Sequence, residues 1–263
     1  MKKLKVFCLI LLLLAAVWVF GTFALRTDKV TVQSEGIKNP ITIVQLSDLH
    51  GYSFGPDNCW LLWLVERQQP DLIAVTGDMF TANRDSGTAY RLIAALTDVA
   101  PVYYVNGEHD NSEGFKAELS AAGVHVMDYA EELLAVGDTT VHLYGINNVY
   151  YSDTFDLGNE FTEDSEHFSL LLAHIPNFEK FRAFGIDLAL CGDTHGGQIR
   201  LPGLGALYDG STWLPERSGI PMKGLYEQNG SYLYISSGLG NYPVPVRFCN
   251  RPEVSVIRLE PKN

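Results

Sequence analysis

Aspartate, glutamate and histidine recur in this chain where apolar runs stop. The segments are Leu46-Ser47-Asp48-Leu49-His50, Thr76-Gly77-Asp78, Asn106-Gly107-Glu108-His109-Asp110, Ala173-His174-Ile175-Pro176 and Cys191-Gly192-Asp193-Thr194-His195-Gly196-Gly197. Mixed carboxylate and imidazole ligands suit Mn, Fe, Zn or Co and leave positions open for water and substrate, unlike a cysteine-rich structural zinc site. Asp48, His50, Asp78, Glu108, His174, Asp193 and His195 make seven candidate ligands, more than one ion needs. Two ions sharing a carboxylate, about 3.5–4 Å apart, use that number. Asp48 and His50 are two residues apart, as are Asp193 and His195. Extended residues at that spacing point the same way, so each pair is expected to face a common site.

Single segments of this kind carry little weight. A lone histidine at a strand end is usually satisfied by a carbonyl, and His125, His142 and His167 are read that way. Gly-Asp pairs often only mark turns. Five such segments, each closing an apolar run, argue instead for one metal site. Cys191 is expected to pack as a small apolar residue rather than to add a thiolate.

Ligands at strand ends need a sheet behind them. Ile41–Leu46 reads as a buried strand, 58–69 as a helix with Trp60, Leu61, Leu64 and Val65 on one side, and 72–75 as the next strand. A helix at 88–96, a strand at 102–105 and a helix at 113–122 follow, giving βαβαβα. Segments 132–136 and 140–144 read as a hairpin around Gly137-Asp138. A strand at 168–173 leads to a helix expected to start with Pro176, and strands are expected at 187–190, 232–235 and 254–259. Two sheets with helices outside accommodate that count. Residues 201–230, rich in glycine, read as a long loop region in which Trp213, Arg217 and Lys223 are candidates to touch a phosphate or acyl chain.

The 263 residues hold 46% hydrophobic and 19% charged side chains, which excludes disorder and supports a core. Nineteen basic against 31 acidic residues give a net charge of −12, which disfavours an electrostatic grip on nucleic acid or anionic lipid. No linker divides the middle, so one domain is expected from 27 to 263. Before it, Lys2, Lys3 and Lys5 precede an uncharged, mostly apolar run at 6–25 that ends at Arg26. That is about 30 Å of helix, one bilayer core. Residues 1–26 are read as an uncleaved anchor, Thr22-Phe23-Ala24 being a poor cleavage site. Three lysines before the run against Arg26 and Lys29 after it put the amino terminus in the cytoplasm and the domain outside. Cys8 lies in the anchor, and Cys59, Cys191 and Cys249 show no CxxC spacing, so no disulfide framework is indicated.

In this order the segments resemble the motifs of the calcineurin-like metallophosphoesterases, D-x-H, G-D, G-N-H-D/E, H and G-H-x-H. They are matched by Asp48-Leu49-His50, Gly77-Asp78, Gly107-Glu108-His109-Asp110, His174 and Gly192-Asp193-Thr194-His195. Gly196-Gly197-Gln198-Ile199-Arg200-Leu201-Pro202 and Ser237-Gly238-Leu239-Gly240 are similar to the membrane-associated bacterial YkuE-like branch. That branch is related to enzymes that cleave the pyrophosphate of UDP-2,3-diacylglucosamine. The resemblance implies an α/β fold, a two-sheet β-sandwich flanked by helices, here preceded by one transmembrane helix. It also implies Asp48, His50 and His195 on a first metal, Asp78 as the bridge, and Glu108, His174 and Asp193 on a second. His109 would then meet the phosphate and protonate the leaving oxygen, a role suited to imidazole. Asp110 either orients it or caps the main chain.

Two positions depart from the family pattern, Glu108 standing for Asn and Asp193 for His. Both make the second half-site more anionic, which favours Mn, Mg or Fe over Zn there. The expected function is hydrolysis of a phosphate ester or pyrophosphate, small or lipid-linked, by in-line attack of a water activated by two divalent ions (Mn, Fe, Mg or Zn). The competing expectation is a catalytically weak metal-binding interaction protein of the same fold. A nuclease fits poorly with the acidic charge and the anchor.

Overall fold

A computed structural model describes residues 2–81, 86–147, 151, 152 and 154–262. The apolar amino terminus forms α1 (Lys2–Phe23), and β1 (Arg26–Ser34) and β2 (Ile41–Leu46) follow. Next come α2 (Cys59–Glu66), β3 (Leu72–Thr76), α3 (Ser86–Leu96), β4 (Val102–Val105), α4 (Glu113–Ala121) and β5 (His125–Val126). The hairpin of β6 (Ala130–Val136) and β7 (Thr139–Gly145) leads to β8 (Phe168–Leu172), α5 (Phe178–Phe184) and β9 (Leu188–Cys191). The chain ends with β10 (Arg200–Leu201), β11 (Gly205–Ala206), β12 (Gly224–Gln228), β13 (Ser231–Ile235) and β14 (Glu253–Pro261).

Two six-stranded sheets result, ordered β1-β14-β2-β3-β4-β5 and β12-β13-β9-β8-β7-β6. In the first, β2 to β5 run parallel with α2, α3 and α4 on the outer face; in the second, β7, β8, β9 and β13 run parallel. Alternation along each strand explains the layering. Ile41, Ile43, Leu72, Ala74 and Tyr103 face inward and meet Phe168, Leu170, Leu172, Leu188 and Leu190 of the other sheet. The residues between them, such as Val44, Ile73 and Tyr104, face the helices. Leu171 and Ala189 pack outward against Phe181 and Phe184 of α5. Strands covered on both faces read as unbroken apolar runs, and this is the α/β/β/α sandwich expected.

Some local expectations are corrected. The helix near 178 starts one residue after its cap, Asn177, whose side chain accepts from Lys180 N, so Pro176 precedes the cap rather than opening the first turn. Trp60 stands 64% exposed while Leu61 and Val65 of the same helix are buried. Residues 201–230 are not all loop: β12 pairs antiparallel with β13 and closes one edge of the second sheet. β1 also escaped the sequence reading; its charges and lack of a nearby partner hide a strand that pairs with β14 at the far end of the chain.

Candidate metal centre

The carboxyl ends of β2, β3, β4, β8 and β9 release five loops to one edge of the sandwich, and hydrogen bonds tie those loops together. Asp48 N donates to Gly77 O and His50 N to Asp78 O, both at 2.9 Å, and Gly192 N donates to His174 O at 2.9 Å. Across the sheets, Gln45 Nε2 donates to Cys191 O at 2.8 Å, and His174 Nδ1 donates to Thr76 O at 2.7 Å.

The backbone here is not extended. Asp48, His50, Asp78, Asp193 and His195 have φ of 54°, 47°, 56°, 71° and 49°. Non-glycine residues rarely adopt this left-handed region, and such strain persists where surrounding structure imposes it, often at functional sites. The two Asp-x-His pairs therefore converge through tight turns, not through strand alternation. Close glycines permit this. A Cβ on Gly107 would collide with Asp78 Oδ1 and stand 2.7 Å from its Cγ, and one on Gly238 would stand 2.7 Å from Asp48 Cβ.

The donor atoms converge. His50 Nε2 lies 3.0 Å from His195 Nε2, which lies 3.7 Å from Asp48 Oδ1. Asp78 Oδ2 is 3.8 Å from His50 Nε2, 3.4 Å from His174 Nε2 and 4.0 Å from His109 Nε2. Asp193 Oδ1 is 3.9 Å from His174 Nε2. Three overlapping sets each keep their ligand atoms within 4.8 Å of one another: Asp48 with His50 and His195, His50 with Asp78 and His109, and Asp48 with Asp78 and His174.

The cluster fits divalent ions. Asp48 Oδ2 and His174 Nε2 are buried without a hydrogen-bond partner, a cost of about 1–3 kcal/mol apiece unless something binds them; Nδ1 of His50 and of His195 is unpartnered too, while their Nε2 atoms face each other. His174 presents a single tautomer, Nδ1–H being held by the Thr76 carbonyl, which leaves Nε2 as the ligand atom. Two bonds of about 2 Å accommodate the 3.0 Å between the Nε2 atoms of His50 and His195.

Charge tells the same story. Burial raises Asp48 to about 7, aided by Asp78 and opposed by His174. Burial also raises Asp193, with Asp78 and Glu108 adding to it against the pull of His174. Burial lowers His50 to about 3 and drives His195 well down, so both rings are neutral and able to ligate. On Asp78 burial is outweighed by His174, which holds the carboxyl well below its usual range, and His174 is raised in turn. Three carboxylates, Asp48, Asp78 and Asp193, with His174 alone held charged among the imidazoles, want more positive charge than the side chains supply.

Residues 41–197 match the model of the family described as calcineurin-like phosphoesterase. The chain belongs to that family. This phosphoesterase is accordingly a hydrolase of phosphoric ester bonds, from a family that depends on a dinuclear metal centre. It is 27% identical over 233 residues to the uncharacterized metallophosphoesterase YkuE of Bacillus subtilis strain 168, covering 84% of this chain and 79% of that protein. Phosphodiesterase YaeI of Escherichia coli K12 is 27% identical over 231 residues, covering 84% of this chain and 82% of that one. The crystal structure of TT1561 of Thermus thermophilus superposes with a TM-score of 0.51 over 75% of this chain and 89% of that chain, at 12% identity, a likeness of fold alone.

Of the residues singled out from sequence, Asp48, His50, Asp78, His109, His174 and His195 come together, with Asp193 at their margin. Glu108 is exposed and belongs to none of the three sets, reaching the site only through its charge on Asp193. Asp110 caps the main chain: its carboxylate accepts from Gly107 N at 2.6 Å and Met79 N at 2.7 Å. Lys223 is engaged by Glu253 at 3.1 Å, not free for phosphate, and Trp213 is 68% exposed. His142 and His167 pair with Asp164, and His125 with Glu132. Cys191 is buried, and all four cysteines are free thiols. Tyr242 was missed: its ring stacks on His50 with centroids 5.0 Å apart and meets His109 edge-on at 4.6 Å. Arg247 was also missed; its buried guanidinium bonds Ser237 O at 2.7 Å and Gly240 O, fixing the turn whose Gly240 N donates to Asp48 O at 2.7 Å. Neither bears a motif, and only the topology brings them here.

Proposed function

We propose that this chain is a two-metal phosphoesterase acting on a phosphodiester or pyrophosphate presented at a membrane, with residues 1–26 as anchor and 27–263 as catalytic domain. The observation that carries it is the convergence of buried donor atoms of Asp48, His50, His174 and His195 around Asp78, with Asp48 Oδ2 and His174 Nε2 left unpartnered. Asp48, His50 and His195 would hold one ion and His174 and Asp193 the other, with Asp78 available to both. Bound divalent ions would supply Lewis acidity to the phosphate and lower the pKa of water at the site. His109, partly exposed and with its main-chain N–H fixed to Asp78 Oδ1 at 2.9 Å, carries the proton to the leaving oxygen. Tyr242 walls the site beside it and limits bulk water.

Diester preference is supported by the name of the YaeI relative, and membrane presentation by α1, a single helix among the described residues long and apolar enough to span. The lysine bias before α1 supports a cytoplasmic amino terminus and an outward-facing domain. The carboxylate of Asp193, with the charge of Glu108 behind it, favours Mn, Mg or Fe over Zn at the second position. Stoichiometric zinc at both positions in purified protein, by mass spectrometry, contradicts that assignment. The activity is tested on the full chain in detergent, with bis-nitrophenyl phosphate and the nitrophenyl monoester in added manganese. Turnover of the diester that vanishes in Asp78→Asn supports the proposal, and no turnover with any divalent ion refutes it.

A further inference from the structure

We propose that the loop of residues 241–250 is seated in the membrane–water interface against α1, so that the metal centre opens onto the lipid surface. This deepens the proposed function and rests on reading α1 as a membrane span.

The length of the apolar run forces the contact. Residues 6–17 make about 18 Å of helix, well short of a hydrocarbon core of about 30 Å. The run therefore completes a span only if Trp18 and Phe20 also lie within or at the edge of the hydrocarbon. Yet the loop already holds that part of the helix. Trp18 Nε1 donates to Pro245 O at 3.0 Å, and the Arg251 guanidinium, just past the loop, sits 4.7 Å from the centre of the Phe20 ring. Arg251 also donates to Ala24 O at 2.8 Å and to Leu25 O at 2.5 Å. Gly21 packs so closely that an added Cβ would lie 2.5 Å from Arg247 O. Pro245 thus touches α1 about 8 Å before its last residue, Phe23, a distance comparable with the depth of about 5–10 Å at which interfacial segments sit.

The loop is built for that depth. From Asn241 to Asn250 it carries no acidic residue and no lysine, in a chain with 19% charged residues. Its one charge, Arg247, is 1% exposed and spent on Ser237 O, Gly240 O and Asn241 Oδ1. Pro243 and Pro245 have no N–H to leave unsatisfied in lipid. The large apolar side chains that the loop shows outward are Tyr242, Val244 and Phe248, at 40%, 48% and 39% exposure, beside Pro243, Pro245 and Cys249. The same Tyr242 lies against His50 and His109. A phosphoester headgroup moving in the bilayer plane therefore reaches the ligands along the loop without crossing open water.

The test uses the full chain in phosphatidylcholine nanodiscs, with Cys8, Cys59 and Cys249 changed to serine. A nitroxide is attached through Val244→Cys, Leu12→Cys or Leu133→Cys, the last on an exposed edge strand of the second sheet. Collision with oxygen reports lipid, and collision with a water-soluble nickel chelate reports solvent. At Val244 and Leu12 oxygen should exceed nickel, with the order reversed at Leu133. A Val244 label as open to nickel as the one at Leu133, with Leu12 still in lipid, overturns the docking while leaving the anchor intact. Both labels in water overturn the span and the docking together, and a Val244 label shielded from both reagents means a second copy covers the loop, which also overturns it.

Discussion

A methyl group at position 107 should disable the metal centre without altering any ligand. Gly107 follows β4 in the loop beside Asp78, and its backbone is not in the left-handed region, so alanine meets no φ penalty there. Space is the obstacle. The new Cβ would collide with Asp78 Oδ1 and stand 2.7 Å from Asp78 Cγ and Asp78 N, where ordinary contact begins at 3.4 Å. The carboxylate must therefore shift by on the order of 1 Å, and misplacements of that size in a reacting constellation cost about 100-fold. The overpacking should cost the fold about 1–3 kcal/mol. Manganese-supported hydrolysis of bis-nitrophenyl phosphate, metal content by mass spectrometry and thermal unfolding of the detergent-solubilised chain separate the two effects. The expected result is a folded Gly107→Ala protein with turnover down by about two orders of magnitude. Turnover within twofold of the parent, with its ions retained, would refute the claim that close packing on Gly107 places Asp78.

Glu253, fully buried among Arg26, Lys223, Tyr234 and Ser237, is held down to about 2 from an ordinary 4.5, burial being outweighed by those partners. Its folded value is depressed, so its contribution is complete above pH 4.5 and is lost as pH falls toward 2; on the order of 3 kcal/mol should vanish over that window. Urea unfolding at stepped pH should show this loss in the parent and not in Glu253→Gln. Arg247→Met leaves the carbonyls of Ser237 and Gly240 without their donor and should cost about 3 kcal/mol, read as a lower urea midpoint together with weaker manganese binding; manganese affinity equal to the parent's would show that the turn over Asp48 does not depend on Arg247. A maleimide reagent should label Cys59 in the folded chain and Cys191 only after unfolding, as the burial of that thiol demands; labelling of Cys191 in native conditions would contradict the packing behind β9.

Much of the fold was legible because its central strands are covered on both faces. Runs such as 72–75 and 102–105 hold only apolar and aromatic residues, and their signal survives without knowledge of their neighbours. β1 and β12 lie at sheet edges with mixed, part-exposed residues, so their pairing with β14 and β13 is decided by tertiary structure. The ligands were legible for a different reason: metal chemistry restricts residue type, and five short segments kept that restriction in order. The cause assigned to their convergence was wrong. Asp48, His50, Asp78, Asp193 and His195 occupy left-handed turns, a conformation that residue type does not announce. Asp110 illustrates the limit further: adjacency to His109 left orienting and capping equally open, and the structure decides for a cap on Gly107 and Met79. Tyr242 acts through stacking on His50, far away in the sequence, and Arg247 through a local turn whose Gly240 N reaches Asp48 O, neither of which spacing encodes.

The most direct test of the two-metal reading is anomalous diffraction from crystals of this chain grown with manganese. Two peaks about 3.5–4 Å apart, one against Asp48, His50 and His195 and the other against His174 and Asp193 with Asp78 shared, are the predicted result. A single peak away from Asp78, or none at these side chains, would contradict it.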